Sequence, residues 1–145
     1  MTIGILAYGA YIPRRRLQRA AIHAANGWFA GGLKGLARGE RAIAGWDEDS
    51  ITMAVQAARA ALRDTDRATI GSVALASTTL PFADRSNAGI VKGALNLADA
   101  TGAFDLAGSR RAATTGLSQA LAATAGGASA QLLVAADMRK SRPGS

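Results

Sequence analysis

The stretch that most constrains the fold of this chain runs from Phe104 to Leu117, with the sequence FDLAGSRRAATTGL. A short apolar strand leads there into a helix that we predict over Ala112 to Ala125, and most residues of that helix are Ala, Thr, Gly or Ser. Side chains this small allow close packing on every side, which predicts a buried helix and not an amphipathic surface helix. The residue displayed at the junction between strand and helix is Arg110.

The start of this helix predicts an anion site, because unpaired N–H groups and the positive end of the helix dipole favour negative charge. Arg110 and Arg111 repel both the dipole and each other, so we expect a compensating anion. Two sources of that anion stay open. One is a local carboxylate, Asp105 or Asp137, and the other is a ligand carboxylate, phosphate or thioester oxygen held by the guanidinium groups. We predict that Arg110 points inward, that Arg111 turns to solvent, and that Thr114 completes the site.

The apolar periodicity switches between strand-like and helix-like along the chain, which predicts an α/β fold with a mostly parallel sheet around the small-residue helix. Strands are predicted over Ile3–Tyr11, Ile70–Ser77, Gly102–Leu106 and Gln131–Ala136, and further helices over Leu17–Ala25 and Asn87–Leu97. The clearest helix carries one apolar stripe, formed by Ile51, Val55, Ala58 and Leu62. The acidic residues at its start, Asp47, Glu48 and Asp49, are interpreted as helix caps and not as a metal or acid/base cluster.

Composition limits the class of protein further. With 145 residues the chain has the length of one domain, which we assign to residues 1–145. The sequence contains no cysteine, so disulfides and thiolate chemistry are excluded, which fits a cytoplasmic protein. No apolar run is long enough for a membrane span.

The net charge of +7 is concentrated in the first third of the chain. Three interpretations of this basic stretch are open: a nucleic-acid surface, which lacks interleaved aromatics or a recognisable module, a surface that binds another anion, and a solvated face. The glycine-rich segment from Gly27 to Gly39 carries Trp28 and Phe29. Such a segment covers a substrate tunnel, lies against a partner, or is a plain packed loop.

Four further stretches accompany the junction in a recognisable order, and they cover nearly the whole chain. They are GILAYGAYIPRRRL (Gly4–Leu17), GERAIAGWDEDSITMAVQAARAAL (Gly39–Leu62), ALASTTLPF (Ala74–Phe82) and LLVAADMRKSRPGS (Leu132–Ser145). Together with the junction they resemble the thiolase superfamily, in the branch of the hydroxymethylglutaryl-CoA synthases. The resemblance implies a thiolase-like half-fold, equivalent to the N-terminal half of that family.

The same resemblance shows which catalytic groups differ. In the family a cysteine that forms the acyl-enzyme stands where this chain has Arg110, and the acid/base glutamate stands where it has Thr78. The family's catalytic histidine lies in the C-terminal half. A threonine hydroxyl cannot replace a carboxylate as an acid or base near neutral pH, so we expect Thr78 to cap its turn or to bind a ligand oxygen.

The resemblance implies a protein that acts on acyl-CoA or a similar thioester, forming or cleaving a carbon–carbon bond without a cysteine nucleophile. Coenzyme A would then enter as part of the substrate, with no covalently bound cofactor and no metal, and the resemblance implies that the basic stretch binds its phosphates. The alternative is a non-catalytic scaffold or regulatory subunit that keeps the half-fold for pairing. A homodimer, a separate C-terminal half and a zinc-ribbon/OB-fold protein are the expected partners, and neither a membrane nor nucleic acid is expected.

Overall fold

The structure is a computed structural model that describes residues 3–140. It divides into two compact units, one formed by residues 3–11 and 48–137 and the other by residues 12–47 and 138–140. The regular elements, in chain order, are β1 (Arg15–Gln18), α1 (Arg19–Asn26), β2 (Glu40–Ile43), α2 (Ser50–Ala61), β3 (Ile70–Ala76), α3 (Asn87–Ala94), β4 (Gly102–Leu106), α4 (Ala112–Ala125) and β5 (Ala130–Ala135). Within this range no helix is long and apolar enough to cross a membrane.

The larger unit is built on a parallel sheet with the strand order β4-β3-β5. Its central strand pairs with both neighbours, so that Ala76 lies opposite Leu106 on one side and Ala135 on the other. The predicted strands of this sheet and the helix over Ala112–Ala125 are confirmed, with shifts of one residue at two strands. Parallel pairing through helical crossovers is the arrangement that the periodicity predicted.

One face of this sheet is covered by α2 and α3. The buried apolar residues there include the whole predicted stripe of α2; they are Ile51, Ala54, Val55, Ala58, Leu62, Ile70, Val73, Leu75, Ala88, Val91, Leu95, Leu97, Leu132 and Val134. Asp49 begins α2 as predicted, because its carboxylate accepts from the backbone N–H of Thr52 at 2.7 Å while the Thr52 hydroxyl accepts from the Asp49 N–H. This reciprocal cap satisfies two N–H groups that the first helical turn leaves unpaired.

The opposite face of the sheet is covered by α4. A Cβ atom added at Gly116 would lie 2.6 Å from Leu106 Cδ1 and 2.8 Å from Leu133 Cδ1, so the small residue lets the helix approach the sheet closely. The prediction that α4 is buried on all sides is wrong, since Leu117 and Leu121 are each 38% exposed and only Ala112 and Gly116 are buried. Small side chains allow a helix to be enclosed, but neighbouring elements must enclose it, and here the sheet lies on one side only.

The close approach at Gly116 predicts a specific cost for added volume. Gly116→Val is expected to lower the free energy of unfolding by about 1–3 kcal/mol, because the added methyl groups must displace Leu106 and Leu133. Gly93→Val is the matched control in α3, where nothing lies within 4 Å of an added Cβ, and it should leave stability within about 0.5 kcal/mol. Chemical denaturation of both variants measures the difference, and equal effects would contradict the packing described for α4.

The N-terminal segment of this unit corrects another prediction. Residues 3–11 form no strand, and the side chains of Ile5, Leu6 and Tyr8 are 70%, 87% and 90% exposed. The segment is held at its end, where a Cβ added to Gly9 would lie 2.6 Å from a backbone oxygen of α2 and where the Tyr11 hydroxyl donates to Glu48. The apolar pattern typical of a buried strand is therefore present without the strand pairing.

The smaller unit contains the antiparallel pair β1–β2, which the sequence did not predict, and the helix α1. The glycine-rich segment forms a short 3-10 helix over Gly31–Leu36, with Leu33 buried. Trp28 and Phe29 pack edge to face, with ring centroids 4.9 Å apart, and Trp28 is 86% exposed. Part of this segment is thus a packed loop, and its aromatic side chains face solvent.

Candidate functional site

The candidate site lies at the carboxyl edge of the parallel sheet, where three neighbouring strands end together. The Ser77 N–H donates to the Leu106 carbonyl at 3.0 Å, and the Ala136 N–H donates to the Ala76 carbonyl at 3.1 Å. In open α/β sheets, ligands bind outside the carboxyl ends of the strands. The loops that follow β3, β4 and β5 carry Thr78, Arg110 and Asp137 to this edge.

The turn after β3 is fixed by Asp137, which follows β5. One oxygen of the Asp137 carboxylate accepts from the Ser77 hydroxyl at 3.1 Å and from the Thr78 N–H at 2.7 Å. The Ser77 side chain is 3% exposed, and its oxygen also accepts from the Thr79 N–H at 3.0 Å. The start of α2 joins the same turn, because the buried Ser50 hydroxyl donates to the Thr79 carbonyl at 2.9 Å.

Thr78 is exposed at this turn. Its backbone donates to Asp137, whereas its hydroxyl makes no hydrogen bond with any residue of the described range. The prediction that the Thr78 side chain caps its turn is therefore wrong, since Ser77 and Asp137 perform that role. A side chain turned to solvent at the carboxyl edge leaves the second predicted role, contact with a ligand oxygen, as a proposal.

These contacts predict unequal effects for two neighbouring substitutions. Asp137→Ala is expected to lower the free energy of unfolding by about 1–3 kcal/mol, because it leaves the buried Ser77 hydroxyl and the Thr78 N–H without their acceptor. Thr78→Ala should change it by less than about 0.5 kcal/mol. Denaturant titration of both variants checks this, and a larger loss for Thr78→Ala would contradict the assignment of the turn to Asp137.

The loop after β4 carries the two predicted arginines. Arg110 and Arg111 are both exposed, and neither forms an ion pair within residues 3–140. The prediction of an inward, dehydrated Arg110 that needs compensation is therefore wrong in this structure. Thr114 is exposed as well, and its hydroxyl donates to the Arg111 carbonyl at 2.9 Å, as threonines of a first helical turn often do. The three residues share the start of α4, and their binding of an anion is a proposal.

The local carboxylate proposed to compensate Arg110 has another partner. Asp105, near the end of β4, accepts from the backbone N–H and the side-chain amide of Asn87, each at 2.9 Å, and from the Ala88 N–H at 2.7 Å. This carboxylate therefore caps the start of α3, where negative charge is favoured.

Asn87, which is held by Asp105, also forms hydrogen bonds with the loop between β3 and α3. Its side chain is 1% exposed, accepts from the Phe82 N–H at 3.1 Å and donates to the Phe82 carbonyl at 2.9 Å. A carboxylate on β4 thereby fixes an amide that in turn fixes the loop beginning at Thr78. The guanidinium of Arg85 lies 5.1 Å from the Phe82 ring centroid in the same loop.

Sequence reasoning missed the positioning roles of Asp137 and Asn87. Asp137 gave a usable signal, because it is the first charged residue after the apolar run from Leu132 to Ala136, at the carboxyl end of a predicted parallel strand. Asn87 gave only the signal of a helix start. Its clamp depends on Asp105, eighteen residues later, and that contact is set by the register of β3 with β4.

Comparison with known proteins decides the family. No family model matches the chain. The hydroxymethylglutaryl-CoA synthase of Aeropyrum pernix is 37% identical over 144 residues, which are 97% of this chain and 40% of that enzyme. The chain belongs to the thiolase superfamily. It spans about 40% of the length of the curated relatives that it matches, consistent with an N-terminal half.

Solved structures agree with this membership of the thiolase superfamily. A structure described as MvaS in complex with 3-hydroxy-3-methylglutaryl coenzyme A matches with a TM-score of 0.80 and 26% identity, over 93% of this chain and 34% of that one. A 3-oxoacyl-(acyl-carrier-protein) synthase III matches with a TM-score of 0.81 and 20% identity, over 95% of this chain and 42% of that one. The second likeness shows the fold alone, and both confirm the predicted thiolase-like half-fold.

Proposed function

We propose that this chain is a thiolase-like protein related to hydroxymethylglutaryl-CoA synthase and that it acts on acyl-CoA or a similar thioester. The observation that carries the proposal is the 37% identity with a hydroxymethylglutaryl-CoA synthase over 97% of this chain. By the resemblance, Thr78 and Arg110 at the carboxyl edge correspond to the family's glutamate and cysteine. The reaction class is carbon–carbon bond formation or cleavage. Because neither residue supplies a thiolate or a carboxylate, the acyl group would stay on coenzyme A throughout, and a group outside this chain would move the proton.

The proposed ligand would use the charge at the carboxyl edge. There the exposed guanidinium groups of Arg110 and Arg111 would hold a carboxylate or thioester oxygen beside the start of α4. The Thr114 hydroxyl, which donates to the Arg111 carbonyl in this structure, would turn to join them. A relative bound to 3-hydroxy-3-methylglutaryl coenzyme A supports a thioester of coenzyme A as substrate.

The proposal includes a partner. By the family resemblance, a separate C-terminal half or a second copy of this chain would complete the fold. The chain spans about 40% of its relatives' length. A zinc-ribbon/OB-fold protein is a further proposed partner, resting on the family resemblance alone. Cytoplasmic location is part of the same proposal, with which a sequence without cysteine is compatible.

A second candidate function has an observation of its own. Replacement of both catalytic groups, at Arg110 and Thr78, favours a non-catalytic scaffold or regulatory subunit. The exposed apolar side chains of Leu117 and Leu121 on α4 would then serve pairing alone.

Calorimetric titration with acetyl-CoA, in the presence of a C-terminal half from a relative, separates the two functions. Saturable binding that free acetate does not reproduce supports the thioester function. Complex formation with the second half and no heat from any acyl-CoA supports the scaffold and contradicts the first proposal.

A further inference from the structure

A buried hydroxyl at the start of α2 has its hydrogen-bond partner outside the helix. The Ser50 side chain is fully buried, and its hydroxyl donates to the Thr79 carbonyl, 29 residues further along the chain, at 2.9 Å. The first turn of α2 does not need this hydroxyl, because Asp49 and Thr52 already cap each other's backbone N–H groups. The Ser50 hydroxyl therefore serves the turn after β3 and not the start of its own helix.

Two long-range hydrogen bonds anchor that turn, and they come from different elements. Asp137, after β5, accepts from the Thr78 N–H at 2.7 Å, and Ser50, on α2, donates to the carbonyl of the next residue. The bond from the Thr79 N–H to the Ser77 hydroxyl, at 3.0 Å, spans only two residues and moves with the turn. The backbone of Thr78 is thus held by Asp137 on its N-terminal side and by Ser50 on its C-terminal side.

These two anchors determine where the Thr78 side chain points. The direction of a side chain depends on the two backbone dihedrals at its own Cα, so a turn that is held on both sides fixes that direction. Thr78 is exposed, and its hydroxyl bonds no residue of the described range. The anchors therefore keep a hydroxyl in solvent at the carboxyl edge of the sheet.

We propose that Ser50 is a positioning residue for the candidate site. Through the Thr79 carbonyl, it holds the Thr78 hydroxyl where that group can donate to the carbonyl oxygen of a bound thioester. Because Ser50 is fully buried, it acts without touching the ligand. A group that binds a ligand must be held within about 0.5 Å of its place, which buried side chains behind the site achieve. The inference rests on the proposed thioester function.

Amide hydrogen exchange of the intact chain tests whether Ser50 holds the turn. Ser50→Ala removes the donor, and the Thr78 N–H should then exchange about 3- to 10-fold faster, because an exposed turn exchanges through local opening. Thr52→Ala is the matched control, since it breaks the cap in the same turn of α2 without touching the turn after β3. Unchanged exchange at Thr78 in Ser50→Ala, or an equal increase in both variants, would overturn the proposal whether or not a ligand binds.

Binding of acetyl-CoA tests whether the anchored turn matters to the site. Calorimetric titration, with the C-terminal half of a relative present, compares Ser50→Ala, Thr78→Ala and the double variant. Each single substitution should raise the Kd about 3- to 10-fold, the effect of one neutral hydrogen bond. Because Ser50 acts through Thr78, the double variant should match Thr78→Ala within about 2-fold. Thr52→Ala should change the Kd by less than about 2-fold.

The possible outcomes separate this inference from the proposed function. If the losses of affinity multiply in the double variant, Ser50 acts independently of Thr78, which contradicts the positioning role and leaves the thioester function standing. If the unchanged protein shows no saturable binding of acetyl-CoA, the thioester function itself is contradicted, and the role of Ser50 in ligand binding with it. A loss of affinity in Ser50→Ala that disappears in the Thr78→Ala background supports both.

Discussion

Asn87→Asp is expected to destabilise the protein by about 3 kcal/mol or more at neutral pH. The substitution places a second carboxylate against that of Asp105, at a position where the amide nitrogen now donates at 2.9 Å. The side chain is 1% exposed, so water cannot screen the two charges, and the donor that holds the Phe82 carbonyl is lost. We therefore expect the loop between β3 and α3 to detach from the end of β4.

The stability of the Asn87→Asp variant should depend on pH in a defined direction. Two carboxylates in contact cannot both ionise cheaply, so the folded variant binds a proton that the unfolded chain releases. Its stability relative to the natural protein should therefore rise as the pH falls from 7 toward 4. Asn96→Asp is the matched control, since Asn96 is exposed with φ of 51°, a region that aspartate also adopts. Equal denaturation midpoints for the two variants would contradict the clamp.

Arg110→Ala is expected to weaken binding of acetyl-CoA by about 10- to 100-fold, because a hydrogen bond to a charged partner contributes about 1.5–3 kcal/mol. The thermal midpoint should barely move, since Arg110 is exposed and has no ion pair within the described range. Arg110→Ala should therefore lower the affinity for acetyl-CoA without lowering the stability of the fold.

Arg63→Ala is the control for this loss of affinity. Arg63 is also exposed, but it follows α2 and precedes β3, away from the carboxyl edge of the sheet. Both variants have the same net charge, so a general electrostatic contribution would weaken binding equally in both. Equal Kd values for the two variants would remove Arg110 from the proposed site.

The sequence predicted those parts of the fold that local pattern determines. Strand β4 and helix α4 have the predicted bounds, and the stripe of α2 is buried as its spacing requires. The predictions that residues 3–11 form a buried strand and that α4 is buried on all sides were wrong for the same reason. Apolar composition indicates that a segment can be buried, but burial also requires a neighbouring element, and within residues 3–140 none covers Tyr8 or Leu121 fully.

The sequence predicted where the candidate site lies, but not how its side chains are arranged. Resemblance pointed to Thr78 and Arg110, and the register of the strands brings their loops to one edge of the sheet. The inward Arg110 was argued from the cost of dehydrating a charge, which does not arise for a side chain that remains in water. The hydrogen bonds of Asp137 and Asn87 are long-range contacts, which no local spacing reveals.

Acyl transfer to a single introduced cysteine tests the central claim, that the carboxyl edge is a thioester site. Because the chain contains no cysteine, Arg110→Cys provides the only thiol, and attack of its thiolate on acetyl-CoA would release coenzyme A and leave an acetyl thioester on the protein. Intact-protein mass spectrometry follows the reaction, with Ser118→Cys on the exposed side of α4 as the control. We predict that Arg110→Cys is acetylated at least about 10-fold faster than Ser118→Cys. Equal rates for the two variants would contradict the claim.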